Sequence, residues 1–213
     1  MKKIFLSGAS SGIGLAIAER LCAEGHEVWG TSRDPQRIPK LVRLHAVHLD
    51  LADTSAAVLS FSNALGEAGA FDVVINNAGS GHFGPAQSVS PDLLREQFQT
   101  LVFAQIALTR AALAAMQKRG SGLIINVTSL ASRLPVPFMS AYNAAKAAMA
   151  SFTMTLQLEL RGSGIRIIDL QPGDIRTHFN DVVTKNAAAD PGLNAAAEQA
   201  WRVVDRNIRE APE

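Results

Sequence analysis

Short runs of Val, Ile, Leu and Phe recur along the chain, separated by longer stretches with an apolar residue at every third or fourth position. The runs show little polar alternation, as in strands covered on both faces, and the longer stretches carry the period of amphipathic helices. Strands are predicted over Lys3–Ser7, Glu27–Ser32, Arg43–Leu49, Asp72–Asn76, Leu123–Thr128 and Arg166–Gln171. Helices are predicted near Gly12–Glu24, Thr54–Ala68, Pro91–Arg119, Met139–Arg161 and Ala195–Arg209. Strand and helix alternate, so the expected fold is α/β, a doubly wound parallel sheet with right-handed crossovers and helices on both faces. Residues 1–213 contain no repeat or low-complexity linker and read as one domain. Thr177–Asn194 has no clear period, and Asp190-Pro191-Gly192 marks a turn in it; a mobile flap is expected there.

Composition narrows the function classes. Of 213 residues, 47% are apolar, enough for a buried core, and 18% are charged with a net charge of +1. That balance gives no electrostatic attraction to nucleic acid or to an anionic membrane, and neither is expected as a partner. The lone cysteine, Cys22, cannot form an internal disulfide and is expected as a packed or half-buried thiol. The five histidines show no metal-ligand spacing, and no metal is expected. Met1-Lys2-Lys3 precedes Ile4-Phe5-Leu6, but the apolar run stops at Ser7, short of an export core of about 7–15 residues. No run of residues approaches the ~18 apolar positions of a membrane span, so a cytoplasmic setting is expected.

The first strand runs into Gly8-Ala9-Ser10-Ser11-Gly12-Ile13-Gly14, and a helix follows. Glycine suits a tight strand-to-helix turn where the backbone must approach a pyrophosphate, and the helix start offers free amides and a positive dipole end. Further along stand Asn76-Asn77-Ala78-Gly79, Ser129, Tyr142 with Lys146 four residues later, and Pro172-Gly173. In order and spacing over roughly residues 3–177 this series resembles the short-chain dehydrogenase/reductases. The resemblance implies a Rossmann-like sheet of six strands in the order 3-2-1-4-5-6. It also implies hydride transfer between a nicotinamide and a carbonyl or carbinol carbon.

Tyr142 and Lys146 share one helix face. An ammonium beside a phenol favours the phenolate and lowers its pKa from about 10, which makes tyrosine usable as an acid and base. The resemblance makes Tyr142 the proton donor and acceptor. Ser129 polarises the substrate oxygen, and Lys146 tunes the tyrosine and binds the nicotinamide ribose. One position departs from the family. Its long helix carries an asparagine that supports a water-linked proton relay, and Leu101 stands at that place in Phe98-Gln99-Thr100-Leu101. Either Thr100 or Gln105 holds the water instead, or proton transfer is slowed. A nucleotide-binding protein with weak or no turnover is therefore the alternative to an active reductase. A dehydratase or epimerase on the same scaffold is a third reading.

The second strand ends Ser32-Arg33 where an acidic residue would hydrogen-bond a ribose 2′-hydroxyl. A guanidinium can fork onto a 2′-phosphate, so NADP(H) is favoured over NAD(H); a solvated charge is the alternative for Arg33. By resemblance the cofactor is held by Gly8, Ser10, Ser11, Gly12, Ile13, Gly14, Arg33, Asp50, Leu51, Asn77, Ala78, Gly79, Tyr142, Lys146, Pro172, Gly173 and Thr177. Asp50 reads almost as well as a helix N-cap. His82 and His178 flank the expected site. Phe83, Pro137, Phe138, Met139 and Phe179 suggest an apolar pocket, hence a lipophilic small-molecule ketone or secondary alcohol. The family usually adds a strand beyond the last predicted helix; none is predicted here. Ala104, Ala107, Ala111, Ala112, Ala115, Ala147, Ala148 and Phe152 allow the two long helices to approach those of a second copy, as in the family's homodimers.

Overall fold

The computed structural model describes residues 1–211, with the side chains of His178 and Val182 left out. Its centre is β1 (Lys3–Leu6), whose Phe5 and Leu6 are wholly buried. β1 pairs in parallel with β2 (Glu27–Ser32) on one side and β4 (Val73–Asn76) on the other. β3 (Leu44–His48) extends the sheet beyond β2. β6 (Gly122–Val127) and β7 (Ile165–Leu170) extend it beyond β4. The order is β3-β2-β1-β4-β6-β7, the arrangement expected from sequence. A two-residue strand that the periodicity missed, β5 (His82–Phe83), lies outside this sheet.

Helices cover both faces. α1 (Gly12–Ala23) seats Ala18 on Ile4, Leu6, Val28 and Ile75. On the opposite face, α2 (Thr54–Ala68) brings Phe61 edge-on to Phe5, with ring centroids 4.9 Å apart, and Trp29 and Phe71 complete the aromatic core. Each such buried ring contributes about 1.5–3 kcal/mol. The long helix expected over Pro91–Arg119 is not uniform. α3 (Pro91–Phe98) and α4 (Ala104–Arg119) are joined by a π-helical turn, Gln99–Phe103. The wider turn places Leu101, Val102 and Ala104 in the interior and leaves Phe103 54% exposed. By length and mean hydropathy the joined helix passes as a membrane-crossing one, which counting apolar runs did not suggest. Its Leu108, Ala112 and Met116 nevertheless belong to the core beneath the sheet.

α5 (Ser140–Glu159) packs along β7 and β6. Between it and α4 the core is polar. Asn76 Nδ2 donates to Thr109 Oγ1 at 2.9 Å and to Asn126 Oδ1 at 2.8 Å, and Asn126 Nδ2 donates to Thr153 Oγ1 at 2.8 Å. All four residues are buried.

The segment Thr177–Asn194, expected as a flap, carries short pieces of regular structure. Thr177 caps a short helical turn, His178–Val182, and β8 (Thr184–Lys185) pairs with β5. α6 (Pro191–Glu210) starts earlier than the Ala195 expected, because Asp190 accepts from the Gly192 amide at 2.8 Å and Pro191 supplies the fixed φ of a first helical residue. Asp-Pro-Gly here opens a helix instead of turning a loop.

Candidate active site

Three glycines shape the turn after β1, each through a different contact. Gly8 has φ +75°, and a Cβ there would lie 2.9 Å from the Ala78 Cα. Gly12 has φ +55° and faces the Thr177 side chain, 3.5 Å from where its Cβ would be. Gly14 lies inside α1, where a Cβ would fall 1.9 Å from the Gly8 carbonyl oxygen. Ser11 holds the N-cap position with extended backbone, yet its hydroxyl makes no capping bond, and the first turn of α1 carries no acidic residue. The helix start, beside Ser10 and Ile13, thus keeps amides without side-chain acceptors, which fits an anion such as a pyrophosphate.

The Asn77-Ala78-Gly79 loop is built against this turn. Asn77 Nδ2 donates to the Ser7 and Gly8 carbonyls at 3.0 and 3.2 Å, and the Asn77 and Ala78 amides donate to Ser7 Oγ. Asn77 therefore braces the glycine turn with its side chain. On the far side, Leu130 N donates to the Pro172 carbonyl at 2.9 Å, and Gly173 lies against Leu130. At the end of β2, Arg33 is exposed and makes no ion pair among the described residues. Asp34 does not neutralise it; that carboxylate accepts from the Gln36 amide at 3.0 Å and caps a 3-10 turn. The N-cap reading of Asp50 is corrected. Asp53 caps α2, accepting from Ser55 N and Ala56 N, while Asp50 accepts only from Ala52 N. Leu51 is buried, and its carbonyl is held by Gln99 Nε2 at 3.0 Å.

Ser129 follows β6 in extended conformation and accepts from Ala131 N at 3.1 Å, with its hydroxyl beside that of Tyr142. Lys146, one turn further along α5, is buried; its Nζ donates to the Val127 carbonyl at 2.8 Å and stands 5.8 Å from the centre of the Tyr142 ring. The electrostatics differ from the sequence expectation. Burial pushes the Tyr142 hydroxyl above the usual tyrosine range, and the contact pulling it down is the Ser129 hydrogen bond, not Lys146. Lys146 is itself pulled down to about 8 by burial, with Asp169 acting the other way.

Leu101 is fully buried, its Cδ2 only 2.8 Å from where a Gly79 Cβ would be, and Lys146 Nζ lies 3.8 Å from the same point. Thr100 does not fill the place of an asparagine, since its hydroxyl donates back to the Glu96 carbonyl at 3.1 Å. Gln105 is the better placed: its Nε2 donates to the Ala78 carbonyl at 2.8 Å, and its Oε1 is buried without a partner.

Apolar walls surround Tyr142. A Cβ on Gly81 would meet Met139 Cε at 3.1 Å and both Phe179 and Tyr142 at 3.4 Å. Phe83 stacks edge-on to Trp201 at 4.9 Å and lies near Phe138 at 5.9 Å, whereas Pro137 is exposed. His82 has a buried Nδ1 without a partner, and burial lowers its pKa, with Glu96 opposing. The side chain of His178 lies outside the described residues. Sequence reading missed two residues here. Trp201 gave no signal, being one apolar position of a helix. Asp169 did, as the single acid in the strand Ile165–Leu170.

The short chain dehydrogenase family model matches residues 2–188. A 3-ketodihydrosphingosine reductase of Bacteroides thetaiotaomicron is 34% identical over 178 residues, covering 84% of this chain. The chain spans 65% of that relative's length. Among solved structures, a metagenomic short-chain oxidoreductase in complex with NADP has a TM-score of 0.76 and 31% identity, with 82% of this chain and 83% of that one covered. A 4-hydroxyisoleucine dehydrogenase complexed with NADH has a TM-score of 0.78 and 27% identity, with 83% and 77% covered.

Proposed function

The chain belongs to the short-chain dehydrogenase/reductase family, and from that premise we propose that it is an NADP(H)-dependent oxidoreductase interconverting a carbonyl and a secondary alcohol. The observation that carries the reading is the cluster itself: Ser129 beside the Tyr142 hydroxyl, Lys146 Nζ 5.8 Å from the centre of the Tyr142 ring, and an uncapped helix start at α1. Ser129 holds the substrate oxygen. Tyr142 gives that oxygen a proton in reduction and takes it back in oxidation. Lys146 carries a positive charge beside the phenol and binds the ribose. The bound nicotinamide supplies or accepts the hydride. Phe83, Phe138, Met139 and Phe179 favour a lipophilic substrate, and relatives named for such chemistry include the ketodihydrosphingosine reductase. NADPH absorbance followed against a panel of ketones, aldehydes and quinones tests the reading; no turnover with any class would sink it.

NADP(H) is preferred because Arg33 is exposed and unpaired at the end of β2 among the described residues. Arg33→Ala should weaken NADPH binding about 10- to 100-fold more than NADH binding, the worth of a charge-assisted hydrogen bond. Titration of both cofactors by fluorescence measures this, and equal losses would reduce Arg33 to a surface charge.

A second reading, nucleotide binding with little turnover, is favoured by buried Leu101. NADPH binding with no consumption across the panel is its signature.

The protein is a homodimer through α4 and α5. Phe103, at the start of α4, and Met154 and Leu158 on α5 are 54%, 43% and 60% exposed, and Ala107, Ala111 and Ala147 on the same two helices are half-buried. Ala104 and Ala112, read from sequence as part of this contact, are instead in the core. Light scattering at micromolar concentration should return twice the chain mass, and a monomer would refute the interface.

A further inference from the structure

β7 reads Ile-Arg-Ile-Ile-Asp-Leu, and Asp169 is its lone acid. The Asp169 carboxylate accepts from Thr128 Oγ1 on one oxygen and from Gln171 Nε2, at 2.5 Å, on the other. Thr128 is buried, and its two neighbours belong to the site. The Val127 carbonyl receives the Lys146 ammonium at 2.8 Å, and the Ser129 hydroxyl lies beside that of Tyr142. The ladder places Asp169 directly opposite Asn126 and Leu170 opposite Val127, so the carboxylate stands behind the strand end that carries both contacts. Among the described residues Asp169 makes no ion pair within 4 Å, which leaves its charge to act at longer range.

We propose that Asp169 is a positioning residue of this site: fixed by Thr128 and Gln171, its negative charge holds the Lys146 ammonium against the Val127 carbonyl beside Tyr142. Its importance for turnover rests on the oxidoreductase reading, but its test does not. Near Lys146 stand Tyr142 from its own helix, Leu101 from the π-helical turn, Gly79 after β4, Val127 from β6 and, acting through its charge, Asp169 from β7. Only Tyr142 and Asp169 among these ionise.

The sign follows. Lys146, pulled down to about 8, is charged below that pH and neutral above it. Removing the carboxylate lets the midpoint fall further. The lysine then loses its charge at lower pH, and the alkaline limb of turnover moves to lower pH with it.

The experiment is a carbon-13 NMR titration of protein labelled at lysine Cε and aspartate Cγ. The Lys146 resonance is identified by its loss in Lys146→Met. In the native protein it should titrate near pH 8, and in Asp169→Asn about one pH unit lower, a tenfold change in proton affinity. Asparagine keeps the shape and an acceptor for Thr128, so a merely structural role would lower Tm without moving the midpoint. An unmoved midpoint in a folded variant overturns the proposal. A second measurement leaves Asp169 in place. The Asp169 Cγ resonance should show an inflection at the Lys146 midpoint that disappears in Lys146→Met, and its absence overturns the proposal even if Asp169→Asn does not fold. Failure of the oxidoreductase reading would appear separately, as no turnover with both titrations intact.

Discussion

Tyr142→Phe is expected to lower kcat by about 10²-fold or more on any true substrate, the contribution of one positioned acid and base, and to leave NADPH affinity within a few-fold of wild type. The structure makes this a clean substitution. Tyr142 is 8% exposed, and its ring packs with Met139, Ala145 and Phe179, contacts a phenylalanine keeps. The only group lost is the hydroxyl beside Ser129. Tyr142 is also the one tyrosine of the chain, so the ultraviolet change on phenol ionisation reports this residue alone and should vanish in the variant. In the cofactor-free protein that signal should have its midpoint above the usual ~10, because burial disfavours the phenolate more than Ser129 favours it. Steady-state rates with fluorescence titration of NADPH separate chemistry from binding. A variant keeping more than about a tenth of wild-type kcat would remove Tyr142 from the mechanism.

Gly14→Ala should do comparable damage by a different route. The added methyl would lie 1.9 Å from the Gly8 carbonyl oxygen, 2.9 Å from its carbon and 2.5 Å from Asn77 Nδ2. Two of those atoms are backbone and cannot swing away, so α1 must move off the turn. Overpacking ordinarily costs 1–3 kcal/mol, and without a flexible neighbour the loss should reach about 3 kcal/mol or more. The same movement breaks the bonds from Asn77 to Ser7 and Gly8, so nicotinamide binding should fall at least about tenfold even at temperatures where the variant is folded. Thermal unfolding and NADPH titration read the two effects. Gly66→Ala is the control: its Cβ would meet nothing within 4 Å inside α2, and it should be neutral or stabilising.

The sheet order, the two-sided helical cover and the turn after β1 were legible because each writes a local pattern: unbroken aliphatic runs, a helical period, glycines at fixed offsets. The π-helical turn at Gln99–Phe103 was not, since an extra residue in a helix shifts the apolar phase by too little to read over one turn. β5 and β8 were not, because two residues have no period and their pairing depends on where the chain returns in space. Within the site, Ser129, Tyr142 and Lys146 stand close together as the spacing implied. What spacing could not carry is the environment. The expectation that Lys146 lowers the tyrosine pKa assumed a charged lysine in water. Burial instead weakens the charged form of both groups, and the carboxylate that opposes this for the lysine sits on a distant stretch of sequence.

The amides at the heart of the sheet bear on how the chain finds its alignment. Asn76 and Asn126 are directly opposite on β4 and β6, and each reaches a threonine on the covering helices. Strands made of Val, Ile and Leu tolerate sliding by two residues, since every aliphatic side chain then meets another aliphatic one. Asparagine does not. A two-residue slip of β6 against β4 would part the two amides and face at least one of them with a hydrocarbon, stranding donors away from water at about 1–3 kcal/mol for each unmet group. The pair therefore works as a vernier: it adds little to the depth of the native state but raises its nearest misaligned neighbours. The end of β6, and with it Ser129, is thereby held opposite the end of β4 to within a single residue.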